Sequence, residues 1–267
     1  MSDTDESDIH TPPYTTLAIL GATGQLGPYI LDALSEHSLA PDLKIRLLTR
    51  RSSPNLAISA KLISSHPNLS ITLHEIEYDK DKDTEKQLVQ ALDDVEVVIS
   101  AVGDPCLEAD TQVGDSDAEH CGQLPGFIAQ EAVARAAKKA GVKLFVPSEY
   151  GYPSHTIPAD SPMFLVGKRL FLDFLREDLD LPWMVVYAGA LPKVEPPVQP
   201  LPPCSTSTAL PDPPFVTTRY HLASWVVHLL LDVLPEMTTW GIFRILGVRR
   251  DVLTEVSGGE NWELYEG

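Results

Sequence analysis

A glycine-rich turn between an apolar strand and a helix constrains the fold of this chain more than any other feature. The turn reads Gly-Ala-Thr-Gly-Gln-Leu-Gly at 21–27 and follows the apolar run 15–20. In such a turn Gly21 permits a sharp reversal, Gly24 lets backbone N–H groups approach a pyrophosphate, and Gly27 lets the following helix pack against the sheet. The helix N-terminus favours an anion through its free N–H groups and its dipole. The predicted dinucleotide-binding residues of this turn are Gly21, Thr23, Gly24, Gln25, Leu26 and Gly27.

Strand-like and helix-like segments alternate beyond this turn. The predicted strands are 15–20, 44–48, 70–77, 95–100, 142–146 and 183–187, with a further strand near 243–246. The predicted helices are 27–36, 83–92, 127–140, 162–178 and 219–234. Gly141 stands where a glycine ends a helix. Such alternation predicts an α/β fold: a Rossmann-type, doubly wound parallel sheet with a small, reduced C-terminal substrate region.

The chain divides into three predicted parts. Residues 1–13 are interpreted as a disordered acidic tail, and residues 14–190 as the dinucleotide-binding domain. Nine of the 23 prolines lie in 192–214, which excludes a central strand or a helix interior there. Residues 191–267 are therefore interpreted as a proline-rich flap and a small substrate region packed on the same domain.

Composition excludes several classes of function. The formal net charge is −18, with 20 Lys and Arg against 38 Asp and Glu. Such a surface repels nucleic acid and anionic lipid. The three cysteines, with no C-x-x-C spacing, and the absence of a signal peptide or long apolar run predict a cytoplasmic protein. Scattered histidines predict no metal site, and the acidic stretch 104–119 lacks calcium-loop spacing, so it is interpreted as a solvated loop.

The end of the second strand indicates which dinucleotide is bound. An NAD site commonly has Asp or Glu there, whereas this strand ends in Arg50 and Arg51. A guanidinium at this position pairs with a 2′-phosphate, which favours NADP(H). The small residues after the fourth strand, Ala101, Val102 and Gly103, leave room for the cofactor to cross the edge of the sheet.

Together these segments resemble the NmrA-like and isoflavone-reductase-like group of atypical short-chain dehydrogenases. The matching pieces are GATGQLG at 21–27, LTRRSS at 48–53, VVISAVG at 97–103, AAKKAGVKLFVPSEYG at 136–151 and GKRLFLDFLREDLDLPWMVVYAG at 167–189. The resemblance covers roughly residues 15–250. It implies that the PSEYG turn, with Pro147, lies beside the nicotinamide. It also implies NADPH-dependent reduction of aromatic metabolites, or redox sensing without turnover.

The resemblance places the candidate catalytic residues on the turn and on the next helix. The Tyr-x-x-x-Lys pair of ordinary short-chain dehydrogenases is missing, because Phe164 stands four positions before Lys168. Isoflavone-reductase-like enzymes rely instead on a lysine in this helix, which Lys168 matches. Its ammonium is expected to bind the cofactor by a hydrogen bond to the nicotinamide ribose, or to polarise or protonate a substrate oxygen. Ser148 is expected to bond substrate or the nicotinamide ribose, and Tyr150 to form a wall of the pocket. Glu149 is interpreted as a structural cap of the turn.

Three functions stay open from the sequence. The first is an NADPH-dependent reductase of a small apolar or aromatic metabolite, in which Lys168 stabilises charge or donates a proton. The second is a non-catalytic NADP(H) sensor that acts through a protein partner. The third is a redox-neutral cyclase or isomerase that retains the cofactor. The substrate and the oligomeric state are not predicted.

Overall fold

A computed structural model describes residues 12–78, 82–103, 125–151, 153–156, 158, 163–189, 191 and 217–245. Several predictions fall outside these ranges. They concern residues 1–11 of the acidic tail, the acidic loop 104–119, the proline-rich segment 192–214 and the three cysteines. Position 164 is described in its backbone only.

The described chain forms a parallel sheet with helices on both faces, as predicted. The strands are β1 (Thr16–Leu20), β2 (Lys44–Thr49), β3 (Ser70–Glu75), β4 (Val97–Ser100), β5 (Leu144–Val146), β6 (Met184–Tyr187) and β7 (Gly241–Arg244). The helices are α1 (Gly27–Glu36), α2 (Leu56–Ser65), α3 (Lys82–Ala91), α4 (Pro125–Ala140), α5 (Met163–Asp173), α6 (Arg219–Leu231) and α7 (Pro235–Thr238).

The strand order places a crevice beside β1. Five strands pair in the order β3-β2-β1-β4-β5, and β6 pairs with β7. A parallel bridge between Phe145 and Trp183 joins the two groups. The order reverses between β1 and β4, and in open α/β sheets ligands bind at the carboxyl ends of the strands at such a point. The Rossmann-type fold class predicted from the sequence is therefore confirmed.

Two apolar clusters cover the two faces of the sheet. One joins α1 and α6 to one face, with residues such as Ile30 and Leu222 packed near Leu17. The other joins α3, α4 and α5 to the opposite face, through residues such as Leu88 and Val133. Residues 217–245 thus contribute α6 and β7 to the same core as the first half of the chain.

Several local features differ from the sequence prediction, including α7, which was not predicted, and β7, which begins two residues before the predicted strand. Helix α2 was not predicted, because only Ser59 is buried along it and its apolar residues form no continuous core stripe. The helix predicted over 162–178 divides into α5 and a π-helical turn at Phe174–Asp178. Helix α6 ends at Leu231, three residues before the predicted end. Gly141 has a φ of 77°, as the predicted helix stop requires.

A single carboxylate connects the amino ends of three strands. Glu96, just before β4, accepts hydrogen bonds from the Thr15 backbone N–H at 2.7 Å and from Lys143 Nζ at 2.8 Å. Burial alone would raise the pKa of Glu96. The hydrogen bonds from Lys143 and from the backbone N–H groups of Thr15 and Thr16 more than offset this, so the pKa lies below its ordinary value of 4.5.

We expect Glu96→Gln to lower the free energy of unfolding at pH 7 by about 1–2 kcal/mol, because charge-assisted hydrogen bonds are lost. A depressed carboxyl pKa adds stability that is complete above the unfolded-state pKa and is lost as pH falls through the folded-state pKa. Urea denaturation at pH 7, 5, 4 and 3 should therefore show a flatter acid limb in the variant. Glu131→Gln, which breaks an exposed pair with Arg135, is the control and should cost less than about 0.5 kcal/mol.

Candidate dinucleotide and active site

The turn between β1 and α1 lies against the end of β4. Gly21 has a φ of 84°, and a Cβ added there would lie 2.8 Å from the carbonyl carbon of Ala101. The Gly24 N–H donates to the Gly21 carbonyl at 2.9 Å, which closes the turn. A side chain at Gly21 would therefore meet both backbone strain and a clash. The position is restricted to glycine, as the sequence indicated.

The third glycine of the turn allows a close contact different from the expected one. A Cβ added at Gly27 would lie 2.4 Å from the Ala22 backbone. The sequence pattern predicts that this glycine brings the helix against the sheet. The close contact is instead between the first residue of α1 and the turn itself. The position is thus restricted to glycine by the backbone of the turn itself.

A cavity of about 360 Å³ opens at the carboxyl ends of β1, β2 and β4. Seven of the predicted cofactor residues line it: Gly21, Thr23, Gly24, Arg50, Ala101, Val102 and Gly103. The other predicted cofactor residues lie outside this lining: Gln25, Leu26, Gly27, Arg51, Pro147 and Lys168. Of these, Leu26 and Gly27 are buried beneath the turn.

The two arginines after β2 point to different places. Arg50 is exposed and lines the cavity. The guanidinium of Arg51 donates to the Glu75 carbonyl at 3.4 Å, at the end of β3. The loop between them and α2 is held by Glu77, which accepts from the Ser52 N–H at 2.8 Å and the Ser52 hydroxyl at 3.1 Å. Arg50 is therefore the arginine placed to meet a ligand in the cavity.

Three further residues complete the Arg50 end of the cavity and were not singled out from the sequence: Ser53, Asn55 and Tyr78. Tyr78 is only 7% exposed, and its hydroxyl has no hydrogen-bond partner among the described residues. Burial raises the pKa of Tyr78, and the nearby Arg50 charge offsets this only in part. The phenol is thus a neutral donor at physiological pH, and its hydroxyl is available to a polar group in the cavity.

A narrower space of about 20 Å³ continues towards α5. It is lined by Val102, Gly103, Gly126, Phe127, Gln130, Ser148 and Lys168. Val102, Gly103 and Gly126 also line the larger cavity, so the two spaces share a wall. Lys168 Nζ donates to the Ser148 carbonyl at 2.9 Å. The structure therefore brings two of the three predicted catalytic residues together.

Ser148 connects the ends of β4 and β5. Its hydroxyl donates to the Val102 carbonyl at 2.7 Å, and its N–H donates to Gln130 Oε1 at 2.9 Å. Gln130 is buried, on the first half of α4, and was not identified from the sequence. These bonds fix the carbonyl of Ser148 that Lys168 contacts. Since the hydroxyl proton of Ser148 is directed at a backbone carbonyl, its oxygen lone pairs face any ligand as acceptors.

Tyr150 lies in the apolar core. It is 5% exposed, lines neither part of the cavity, and has a hydroxyl with no partner in the described part of the chain. Burial, and secondarily the Glu149 charge, raise the pKa of Tyr150. The structure thus places this side chain among apolar neighbours, away from the wall position expected for it.

Glu149 is held in a buried polar cluster behind the turn. Its carboxylate accepts from the Ser154 hydroxyl at 2.5 Å, and Ser154 lies 3.2 Å from the hydroxyl of Tyr187. His155 Nδ1 lies 3.1 Å from the same hydroxyl, and its ring stacks on Tyr187. This arrangement fits the capping role expected for Glu149, because its described contacts hold the chain after the turn.

The described ranges also bear on membrane and metal binding. No helix in the described part of the chain has the length and apolar character needed to cross a bilayer. No group of three or more His, Cys, Asp or Glu side chains in these ranges is arranged to hold a metal ion.

Comparison with solved structures gives the same fold at low sequence identity. AtPrR2, solved with NADP+ and (+)-pinoresinol, is 18% identical over 87% of this chain and 70% of that chain, with a TM-score of 0.59. Isoflavone reductase is 20% identical over 87% and 70% of the two chains, with a TM-score of 0.58. The complex of leucoanthocyanidin reductase from Vitis vinifera with NADPH is 18% identical over 80% and 64%, with a TM-score of 0.52. At these identities the likeness establishes the fold alone.

Comparison at the level of sequence identifies the family. No curated protein matches the sequence significantly. The sequence profile of the NmrA-like family matches residues 13–164, which contain the glycine turn, Arg50 and the Ser148 turn. Because the match covers more than half of the chain, this protein belongs to the NmrA-like family.

Proposed function

We propose that this chain binds NADP(H) in the cavity above β1 and reduces a small apolar or aromatic metabolite beside Lys168. The observation that carries the proposal is a continuous path along the carboxyl ends of the strands. It begins at Arg50, passes the glycine turn and ends at Lys168. The solved structures of AtPrR2 with NADP+ and of leucoanthocyanidin reductase with NADPH support the same choice of cofactor.

The residues of the turn fit a diphosphate. A Cβ at Gly24 would lie 3.1 Å from the Gly21 carbonyl oxygen, so the absence of a side chain relieves a tight contact within the turn. Leu26 occupies the N-cap position of α1 and has no side-chain acceptor for the first-turn N–H groups. Those N–H groups and the helix dipole are suited to an anion. The unpartnered Tyr78 hydroxyl supplies a donor near the Arg50 end of the cavity.

Lys168 is the residue proposed to assist the chemistry. NADPH, when bound, supplies the hydride. An ammonium group has three N–H donors, and the contact with the Ser148 carbonyl uses one of them. The remaining donors can hold a substrate oxygen and transfer a proton to it as negative charge develops. The Ser148 carbonyl holds Lys168 Nζ near the carboxyl end of β5. The substrate oxygen would have to lie at the same place.

Cofactor titration tests the proposal. We expect the purified protein to bind NADPH at least about tenfold more tightly than NADH, because only the former carries the 2′-phosphate that meets Arg50. NADPH fluorescence and isothermal titration calorimetry measure both affinities. Consumption of NADPH at 340 nm with a panel of aromatic ketones, enones and imines then tests turnover. Equal affinity for the two nucleotides would contradict the cofactor assignment.

A second candidate function is an NADP(H) sensor without turnover, and the narrow space at Lys168 favours it. About 20 Å³ between the described residues is smaller than an aromatic ring requires. A sensor should bind NADP+ and NADPH with different affinities and consume neither across the same panel. Turnover of any member of that panel with a rate that depends on Lys168 would exclude the sensor.

A further inference from the structure

An arginine from the C-terminal part of the chain contacts the glycine turn. Arg219 is the first residue of α6, and its Nη2 donates to Gln25 Oε1 at 2.7 Å. The two residues are 194 positions apart in sequence. Gln25 stands between Gly24 and Leu26, in the middle of the turn.

The position of Arg219 is costly for a cation. It is 8% exposed and stands at the N-terminus of a helix, where the dipole disfavours positive charge. Burial of a guanidinium is also unfavourable unless hydrogen bonds replace its hydration. A neutral or acidic residue would suit the start of α6 better, since Thr218 already caps the helix by accepting from the His221 N–H at 3.1 Å. The placement of Arg219 therefore calls for an explanation other than the stability of α6.

Docking of α6 does not supply that explanation. The helix packs on the core through a broad apolar face that includes Leu222, Val226 and Leu230. A second polar contact joins the ends of α1 and α6, where His37 Nε2 lies 3.1 Å from Asp232 Oδ1. Since these contacts already hold α6 against α1, the bond to Gln25 chiefly restrains the turn.

We propose that Arg219 is a positioning residue, which holds the turn at Gln25 so that its backbone N–H groups are ready for the diphosphate of the cofactor. This inference rests on the proposed function, because it needs the turn to bind a diphosphate. A turn ordered before binding loses less conformational entropy when the ligand arrives. The contact also couples the segment that follows the proline-rich stretch to the cofactor site.

The test compares two ligands that share one end of the site. NADPH reaches both Arg50 and the turn, whereas adenosine 2′-monophosphate carries the 2′-phosphate and lacks the diphosphate. We expect Arg219→Met and Gln25→Ala each to weaken NADPH binding by about five- to twentyfold, and to change binding of adenosine 2′-monophosphate by less than about twofold. The double variant should lose less affinity than the two single losses combined, because both substitutions remove the same contact.

Arg135→Met serves as the matched control, since Arg135 is hydrogen-bonded on the surface of α4 to Glu131, away from the cavity. It should leave the affinities for both ligands unchanged. Gln25 is exposed, so Gln25→Ala keeps the test open even if Arg219→Met does not fold. The inference is overturned if either variant binds NADPH like the wild type, or if both ligands weaken equally. Failure of the wild type to bind either ligand would overturn the proposed function and this inference together.

Discussion

Replacement of Arg50 by alanine is expected to weaken NADPH binding by about 100-fold and to leave NADH binding within about twofold of the wild type. Arg50 is exposed at the end of the cavity, where the guanidinium is free to form paired hydrogen bonds with a phosphate. Such charge-assisted bonds contribute about 1.5–3 kcal/mol each, which corresponds to roughly a tenfold to hundredfold effect. The preference for NADPH over NADH should therefore disappear in the variant.

The adjacent arginine provides the matched control for this experiment. Arg51→Ala removes the same charge from the next position, but its guanidinium contacts the Glu75 carbonyl and lies outside the lining of the cavity. We expect a change of less than about threefold in NADPH affinity at 0.15 M salt, where exposed charges beyond the Debye length are screened. Calorimetric titration of both variants with both nucleotides gives the four affinities needed.

Two results would count against the assignment of Arg50. If Arg51→Ala loses as much NADPH affinity as Arg50→Ala, the positive charge of the segment as a whole accounts for the preference for NADPH. A direct contact between Arg50 and the 2′-phosphate would then not be needed. If Arg50→Ala retains its preference for NADPH, other groups at this end of the cavity, such as Ser53 and Asn55, hold the 2′-phosphate.

The parts of the fold and site that sequence could predict depend on local chemistry. The turn at 21–27 has few conformations available, and apolar strands flank it, so the sheet and the crevice beside β1 follow from short-range patterns. Arg50 was found in the same way, because its position is counted from the end of β2. The family and fold class predicted on these grounds are confirmed by the profile match and the strand order.

The parts that sequence could not predict depend on contacts between distant segments. Tyr78 reaches the cavity from the segment after β3, and Gln130 reaches Ser148 from α4. Neither residue lies in a motif. Each reaches the site only because folding brings separate strands and helices together. The bond between Arg219 and Gln25 spans 194 positions. A search for polar residues just after each strand, and in the first turns of α4, would have found Tyr78 and Gln130.

Substitution of Lys168 by methionine is expected to reduce the turnover number by about 100- to 10,000-fold, the range typical of a lost general acid. Methionine retains much of the apolar stem and removes the ammonium that donates to the Ser148 carbonyl. NADPH affinity should change by less than about threefold, since Lys168 lies outside the lining of the larger cavity. Single-turnover oxidation of NADPH, with any substrate that the wild type reduces, separates the chemical step from binding.

Lys138→Met is the control, because it also removes a lysine that donates a hydrogen bond to a backbone carbonyl. Lys138 Nζ donates to the Asp180 carbonyl at 2.5 Å, on the outer side of α4, so its loss affects stability in a similar way without approaching the site. Both variants should lower the free energy of unfolding by about 1 kcal/mol, but only Lys168→Met should slow hydride transfer. Retention of the wild-type rate in Lys168→Met would show that the ammonium only holds the Ser148 turn in place. The proton would then have to come from solvent or from another protein group.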